Sequence, residues 1–322
     1  MPEMYRQLLV PYDGSPFSAS ALPIAAALAK RTGATLHLVL VHDPSSYIPF
    51  VAGEVAVPIF DAEMVREQQA IDLRALQTEA AELTAQGLTV ATHLVEGTTV
   101  EALVECGTAV GADLTIMTTH GRGGFKRLQL GSVASAYLTR ATTPVLLLKA
   151  RVRGDGDVAV AATLPSGAVL CPLDGSAWSE SALPPARTLA DVLGAAMSLF
   201  TVAVPHSMPV APFGTELLVD PDALDAETRE QERYLIGLLG QCPPESTTRS
   251  VSGLVAAREI LDEAARSGAG VIAMATHGRG GIMRMLLGSV ADEVIRQADV
   301  PVLVVHPAED SKKSGDSQGA SA

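Results

Sequence analysis

Asparagine is absent from all 322 residues, and aromatic side chains make up only 4% of them. The first absence fits either selection against heat-labile residues or codon bias. The second means that any core must rest on Ala, Val, Leu and Ile. With 48% hydrophobic residues the chain has enough of them to fill two ordinary domains. Cysteine is scarce as well. Cys106, Cys171 and Cys242 are odd in number and show no metal-like spacing, which argues against a disulfide framework and for a reducing compartment. No apolar run approaches the roughly 18 residues of a membrane span, and the opening residues lack a charged-then-apolar leader pattern. A cytoplasmic protein with no membrane partner is therefore expected. Positive charge is also short: the net charge is −13, which argues against nucleic acid or an anionic membrane as the main partner. A small phosphate ligand needs only a local positive patch and stays open.

What the chain has instead is a duplication. Thr119-His-Gly-Arg-Gly-Gly-Phe-Lys-Arg-Leu-Gln-Leu-Gly-Ser-Val-Ala134 returns as Thr276-His-Gly-Arg-Gly-Gly-Ile-Met-Arg-Met-Leu-Leu-Gly-Ser-Val-Ala291, with only four of the positions changed. Leu8-Leu-Val-Pro-Tyr-Asp-Gly-Ser15 answers Val169-Leu-Cys-Pro-Leu-Asp-Gly-Ser176, and Thr143-Pro-Val-Leu-Leu-Leu148 answers Val300-Pro-Val-Leu-Val-Val305. A period of half the chain is a duplicated domain, not a solenoid. The stretch from Arg153 to Gly167 contains Gly-Asp-Gly-Asp and Pro-Ser-Gly and lacks clear periodicity, so residues 151–166 read as a linker. The expected domains are thus 1–150 and 167–307, with a polar, disordered tail over 308–322.

Within the first half, apolar runs predict strands at Gln7–Pro11, Thr35–Val41, Thr89–Val95, Leu114–Thr118 and Val145–Lys149. Helical periods predict helices at Ser18–Arg31, Ala62–Gln86, Val100–Val110 and Ser132–Arg140. Continuous apolar strands alternating with helices predict an α/β fold: two tandem, doubly wound parallel-sheet domains of five strands each. The last strand of each half is an edge that must be covered. The two edges can pair, giving an internal pseudo-twofold and leaving room for a further homodimer; alternatively each is simply a fifth strand under helices.

In such sheets ligands bind beyond the carboxyl ends of the strands, where the winding reverses. The glycine loops leave a strand there and enter a helix. Gly121 and Gly278 permit a sharp turn. Gly131 and Gly288 let backbone N–H groups come close to an anion. Ser132 and Ser289 stand at the helix start, able to donate a hydroxyl or to cap. Arg122, Lys126 and Arg127 in one loop, and Arg279 and Arg284 in the other, supply positive charge with no acid beside them. Neither loop is a Walker A motif. Neither is Gly-x-Gly-x-x-Gly, because Lys126 and Met283 stand where the last glycine belongs; a dinucleotide dehydrogenase is disfavoured. Asp13 and Asp174 end the first strands. A carboxylate there can accept from a ribose hydroxyl or hold Mg²⁺ near phosphates, and it can equally close an Asx-turn. His120 and His277 lie inside the loops, as phosphate contacts or as loop-ordering residues. His37, His42, His206 and His306 are not duplicated and read as structural or surface residues. No nucleophile or partner carboxylate recurs beside the loop histidines, so no catalytic triad is expected.

These residues together resemble a tandem universal stress protein, two UspA-like domains over roughly residues 5–149 and 167–306. The resemblance implies a fold of the adenine nucleotide alpha hydrolase type and a cytoplasmic, non-catalytic stress-response module that binds ATP. The family pattern Gly-x2-Gly-x9-Gly-Ser/Thr falls on Gly121, Gly131 and Ser132, and again on Gly278, Gly288 and Ser289. Its strand-one aspartate falls on Asp13 and Asp174. Its adenine-contacting valine, at the end of strand two, falls on Val41 and Val202. Its first glycine is replaced by Thr118 and Ala275. The added Cβ is bulkier at Thr118, so the second site is expected to bind nucleotide more tightly. The alternative is an interaction protein of the same family that binds no nucleotide.

Overall fold

The computed structural model describes residues 5–43, 62–119, 130–152, 158–159, 163–204, 221–276 and 287–306. Contacts divide the chain into two compact units, Met4–Leu164 and one built on Pro165–Ala322.

The first unit runs β1 (Gln7–Pro11), α1 (Pro16–Ala19), α2 (Leu22–Thr32), β2 (Thr35–His42), α3 (Ala62–Ala85), β3 (Val90–Glu96), α4 (Thr99–Ala109), β4 (Leu114–Thr118), α5 (Ser132–Leu138) and β5 (Val145–Leu148). Its strands lie in the order β3-β2-β1-β4-β5, all parallel. The order reverses at β1, which sends α2 and α3 to one face and α4 and α5 to the other. A short antiparallel pair, β6 (Arg151–Val152) with β7 (Val158–Ala159), follows inside the stretch expected to be featureless linker.

The second unit repeats the plan: β8 (Val169–Pro172), α6 (Ala177–Glu180), α7 (Leu183–Leu193), β9 (Met197–Ala203), α8 (Pro221–Leu238), β10 (Thr247–Ser252), α9 (Ala256–Ser267), β11 (Val271–Ala275), α10 (Ser289–Gln297) and β12 (Val302–Val305). Its order is β10-β9-β8-β11-β12, again parallel.

The central strands are buried on both faces, as their unbroken apolar sequences require. One polar pair crosses the first core: the hydroxyls of Thr115 and Tyr137 lie 2.9 Å apart, so neither is left unsatisfied. Two expectations need correction. The helix expected as one piece over Ser18–Arg31 is two, α1 and α2. Pro23 sits in the first turn of α2; with no N–H and a ring that crowds the residue four back, it starts a helix and cannot continue one. Pro184 does the same between α6 and α7. The outer strands β3 and β10 are also not continuous apolar runs. Both are only partly buried, and β10 reads Thr-Thr-Arg-Ser-Val-Ser.

Candidate functional site

Each first strand ends in the same Asp-Gly-Ser turn. After β1 the Tyr12 N–H still donates to the Val39 C=O at 2.8 Å, extending the ladder by one bond. Asp13 then turns the chain. Its Oδ1 accepts from the Ser15 N–H at 2.9 Å and from the Ser18 hydroxyl at 2.6 Å. The Ser15 hydroxyl oxygen accepts from the Ser18 N–H at 3.2 Å and caps α1. Gly14, at φ 77°, occupies the left-handed region that a side chain would resist. The second unit is a close copy. Asp174 Oδ1 accepts from the Ser176 N–H at 3.0 Å and from the Ser176 hydroxyl at 2.5 Å, and Gly175 has φ 79°. Both carboxylates are half-buried, and each closes an Asx-turn.

The glycine loops start and end on matching bonds. Thr119, just past β4, donates its N–H to the Leu148 C=O at 3.0 Å, and its own C=O accepts from the Gly131 N–H at 2.7 Å. Thr276 donates to the Val305 C=O at 3.0 Å and accepts from the Gly288 N–H at 2.8 Å. The helix start is thereby drawn back against the strand end in both units. This refines the reading of the glycines. The Gly131 and Gly288 N–H groups are occupied by that closure, so an anion at this end of the helix would draw its backbone donors from the residues after them. Gly131 and Gly288 are the N-caps, with no side-chain cap bond. Ser132 and Ser289 are the first helical residues and are exposed; the capping alternative is not the one adopted. First-turn N–H groups have no acceptor inside a helix, so Ser132–Val133 and Ser289–Val290 offer backbone donors at the helix start, with an exposed serine hydroxyl beside them. The helices differ in charge. α5 has no acid in its first turn, whereas α10 has Asp292, whose Oδ2 accepts from Arg296 Nε at 2.8 Å.

Val41 and Val202 lie two residues past Val39 and Phe200, whose C=O groups accept from the Tyr12 and Leu173 N–H groups. In a parallel ladder, alternate residues turn both backbone groups to the same neighbour. Val39 serves Tyr12 and His42 serves Gly97 on the opposite side, so the Val41 N–H and C=O face the β1 side beyond the end of that strand. Phe200 serves Leu173 and Ala203 serves Gly253, which turns Val202 the same way. Thr118 and Ala275 are the buried last residues of β4 and β11. Thr115 meets α5, so by two-residue alternation Thr118 projects from the other face. Gly121, Arg122, Gly278 and Arg279, together with His120, His277, Lys126, Arg127 and Arg284, lie outside the described residues.

Other polar groups were not legible as site neighbours. His42 is buried beside Val41, its Nδ1 3.1 Å from Asp72 Oδ2, and Asp72 Oδ1 accepts from Gln68 Nε2 at 2.9 Å. His37 is buried as well, with Nδ1 3.0 Å from His93 Nε2. Among the described residues no group of three or more His, Cys, Asp or Glu is placed to hold a metal ion, and no helix is long and apolar enough to cross a membrane.

Comparison with known proteins gives a consistent family. The family model described as the universal stress protein family matches residues 4–149 and 166–306. A universal stress protein of Mycolicibacterium smegmatis is 30% identical over 304 residues, covering 93% of this chain and 97% of that protein. A universal stress protein structure from Archaeoglobus fulgidus superposes with a TM-score of 0.64 at 22% identity, covering 95% of this chain and 98% of that one. A putative universal stress protein from Pseudomonas aeruginosa gives 0.63 at 18% identity, covering 96% of each.

Proposed function

Because this chain belongs to the universal stress protein family, with two of its domains in tandem, we propose that each unit is a regulatory module that binds ATP and does not turn it over. The observation that carries the reading is the strand-to-helix closure built twice, by Thr119 with Gly131 and by Thr276 with Gly288. It holds uncapped first-turn N–H groups and an exposed serine hydroxyl beside a loop that carries arginine. A helix N-terminus contributes about 0.3–1 kcal/mol per anionic charge, up to ~2 when partly buried. Micromolar affinity is about −8 kcal/mol, so several donors must act together. In this reading the first-turn N–H groups, Ser132 or Ser289, and Arg122 or Arg279 hold the phosphates. Gly121 and Gly278 shape the loop around them. The backbone of Val41 or Val202 meets the adenine edge, and Asp13 or Asp174 faces ribose or metal.

Mg²⁺ fits this arrangement only as a companion of the nucleotide. Each aspartate already gives Oδ1 to two donors. One carboxylate per site suits an octahedral ion that takes its other ligands from phosphates and water. The second reading, an interaction protein without nucleotide, is favoured by these same turn bonds and by Thr118 and Ala275 in place of glycine. Extracting the purified chain with heat and measuring the mass of what is released separates the two. ATP or ADP at one or two equivalents supports the module; none, together with no heat on titrating Mg-ATP, supports the interaction protein.

A further inference from the structure

We propose that His37 and His93 form a site for one divalent transition-metal ion of tetragonal preference, Cu(II) above Ni(II), in the first unit only. Parallel pairing of β2 and β3 sets Val39 opposite His93 and His37 opposite Ala91. The two histidines are therefore diagonal neighbours on one face of the sheet. His37 Nδ1 lies 3.0 Å from His93 Nε2, with the rings stacked at 5.2 Å between centroids. The far nitrogen of His37, Nε2, is 2.6 Å from the Gln7 side-chain oxygen. An amide oxygen only accepts, so that nitrogen carries the proton and Nδ1 presents its lone pair to His93. A hydrogen bond at the far ring nitrogen that fixes the tautomer is what orients a metal-bound imidazole.

The separation selects the geometry. With metal–nitrogen bonds of about 2.0–2.1 Å, two nitrogens at a right angle lie about 2.8–3.0 Å apart, and two at a tetrahedral angle about 3.3–3.4 Å apart. The observed 3.0 Å is the length of an N–H···N hydrogen bond with His93 Nε2 as donor; an ion that takes the place of that proton, once His93 carries it on Nδ1 instead, and keeps this separation sits at the right-angle edge of a tetragonal site. His93 is half-buried, so its ring has room to turn its lone pair toward the ion, and water reaches the remaining positions. Both rings are ready as neutral ligands. Burial lowers the pKa of each, and the neighbouring His93 lowers that of His37 further.

The duplication supplies an internal control. His37 lies four residues before Val41, and Ser198 four before Val202. His93 lies four before Gly97, and Arg249 four before Gly253. The second unit thus has Ser198 and Arg249 in these places, and Arg249 pairs with Glu263 at 3.1 Å. The pair is also separate from the proposed nucleotide site, because His37 lies about 13 Å down the strand from Val41. With no third His, Cys, Asp or Glu grouped with it among the described residues, the ion keeps water ligands and exchanges readily.

The test titrates Cu(II) into the full chain without a histidine tag, against glycine as a weak competitor. One equivalent is expected, with an axial EPR spectrum showing coupling to two nitrogens. His37→Ser and His93→Arg, which install the second unit's own residues, each lower the affinity at least tenfold and leave circular dichroism and Mg-ATP binding unchanged. The proposal is overturned if both variants keep the wild-type copper affinity, or if glycine strips all copper from the wild-type chain. Loss of Mg-ATP binding would concern the nucleotide reading alone, since copper binding is read independently of it.

Discussion

Replacing Gly131 by alanine separates the two roles of that residue. Its φ of −58° and ψ of 149° are open to any L residue, so alanine brings no backbone strain. It brings an N-cap that bonds nothing, which costs about 0.5–1 kcal/mol of folding stability. It also brings one methyl beside the Ser132 and Val133 N–H groups. If a phosphate packs against that glycine, the methyl overfills the contact at about 1–3 kcal/mol, or roughly 5- to 150-fold in Kd. Gly288, at φ −58° and ψ 145°, supports the same calculation in the second unit. Calorimetric titration of Mg-ATP into Gly131→Ala, Gly288→Ala and the double variant, with urea denaturation in parallel, reads both quantities. Each single variant should weaken one equivalent and the double variant both. The larger loss is expected from Gly288→Ala if the second site is the tighter. A fall in stability with nucleotide affinity unchanged in all three would refute the argument that the glycines are there for close approach.

Thr118→Gly removes the Cβ that departs from the family pattern; first-site affinity should rise by tenfold or more, at a folding cost of about 1 kcal/mol or more from backbone entropy and lost burial, and an unchanged Kd would show that the side chain lies off the nucleotide path. Asp292→Ser removes the acid from the first turn of α10 and should tighten the second site about two- to fivefold at low ionic strength, with the gain fading in high salt; calorimetry at two salt concentrations reads it. Acid should weaken the first unit through His37 and His93. Both have lowered pKa values in the folded chain, so the unfolded chain binds more protons. Their contribution is present above the unfolded value of about 6.5 and is lost as pH falls through the lower folded values. Urea midpoints of the wild-type chain should drop more between pH 7.5 and 5 than those of the His37→Ser/His93→Arg chain, and equal drops would contradict it.

The elements most legible in the sequence were those that local pattern alone determines. Gln7–Pro11 and Leu114–Thr118 are central strands buried on both faces, so their apolar runs have sharp ends and their bounds coincide with β1 and β4. The break between α1 and α2 was written in Pro23, but the helical periodicity around it masked the stop. The Asp-Gly-Ser turns were legible because glycine and serine at those offsets have few other uses. The use of the Gly131 N–H was not, since it depends on Thr119, twelve residues earlier, lying against the helix start. His37 read as an unremarkable single histidine. Its partner is 56 residues away, and only the register of β2 on β3 sets the two rings together.

The central claim, that the duplicated strand-to-helix closures are nucleotide sites, meets its most direct test in a native mass spectrum of the full chain with Mg-ATP near micromolar concentration. The account predicts two added nucleotides per chain on the wild type and one on Gly288→Ala. A spectrum with no adduct on either, taken on a chain whose circular dichroism shows it folded, would contradict it.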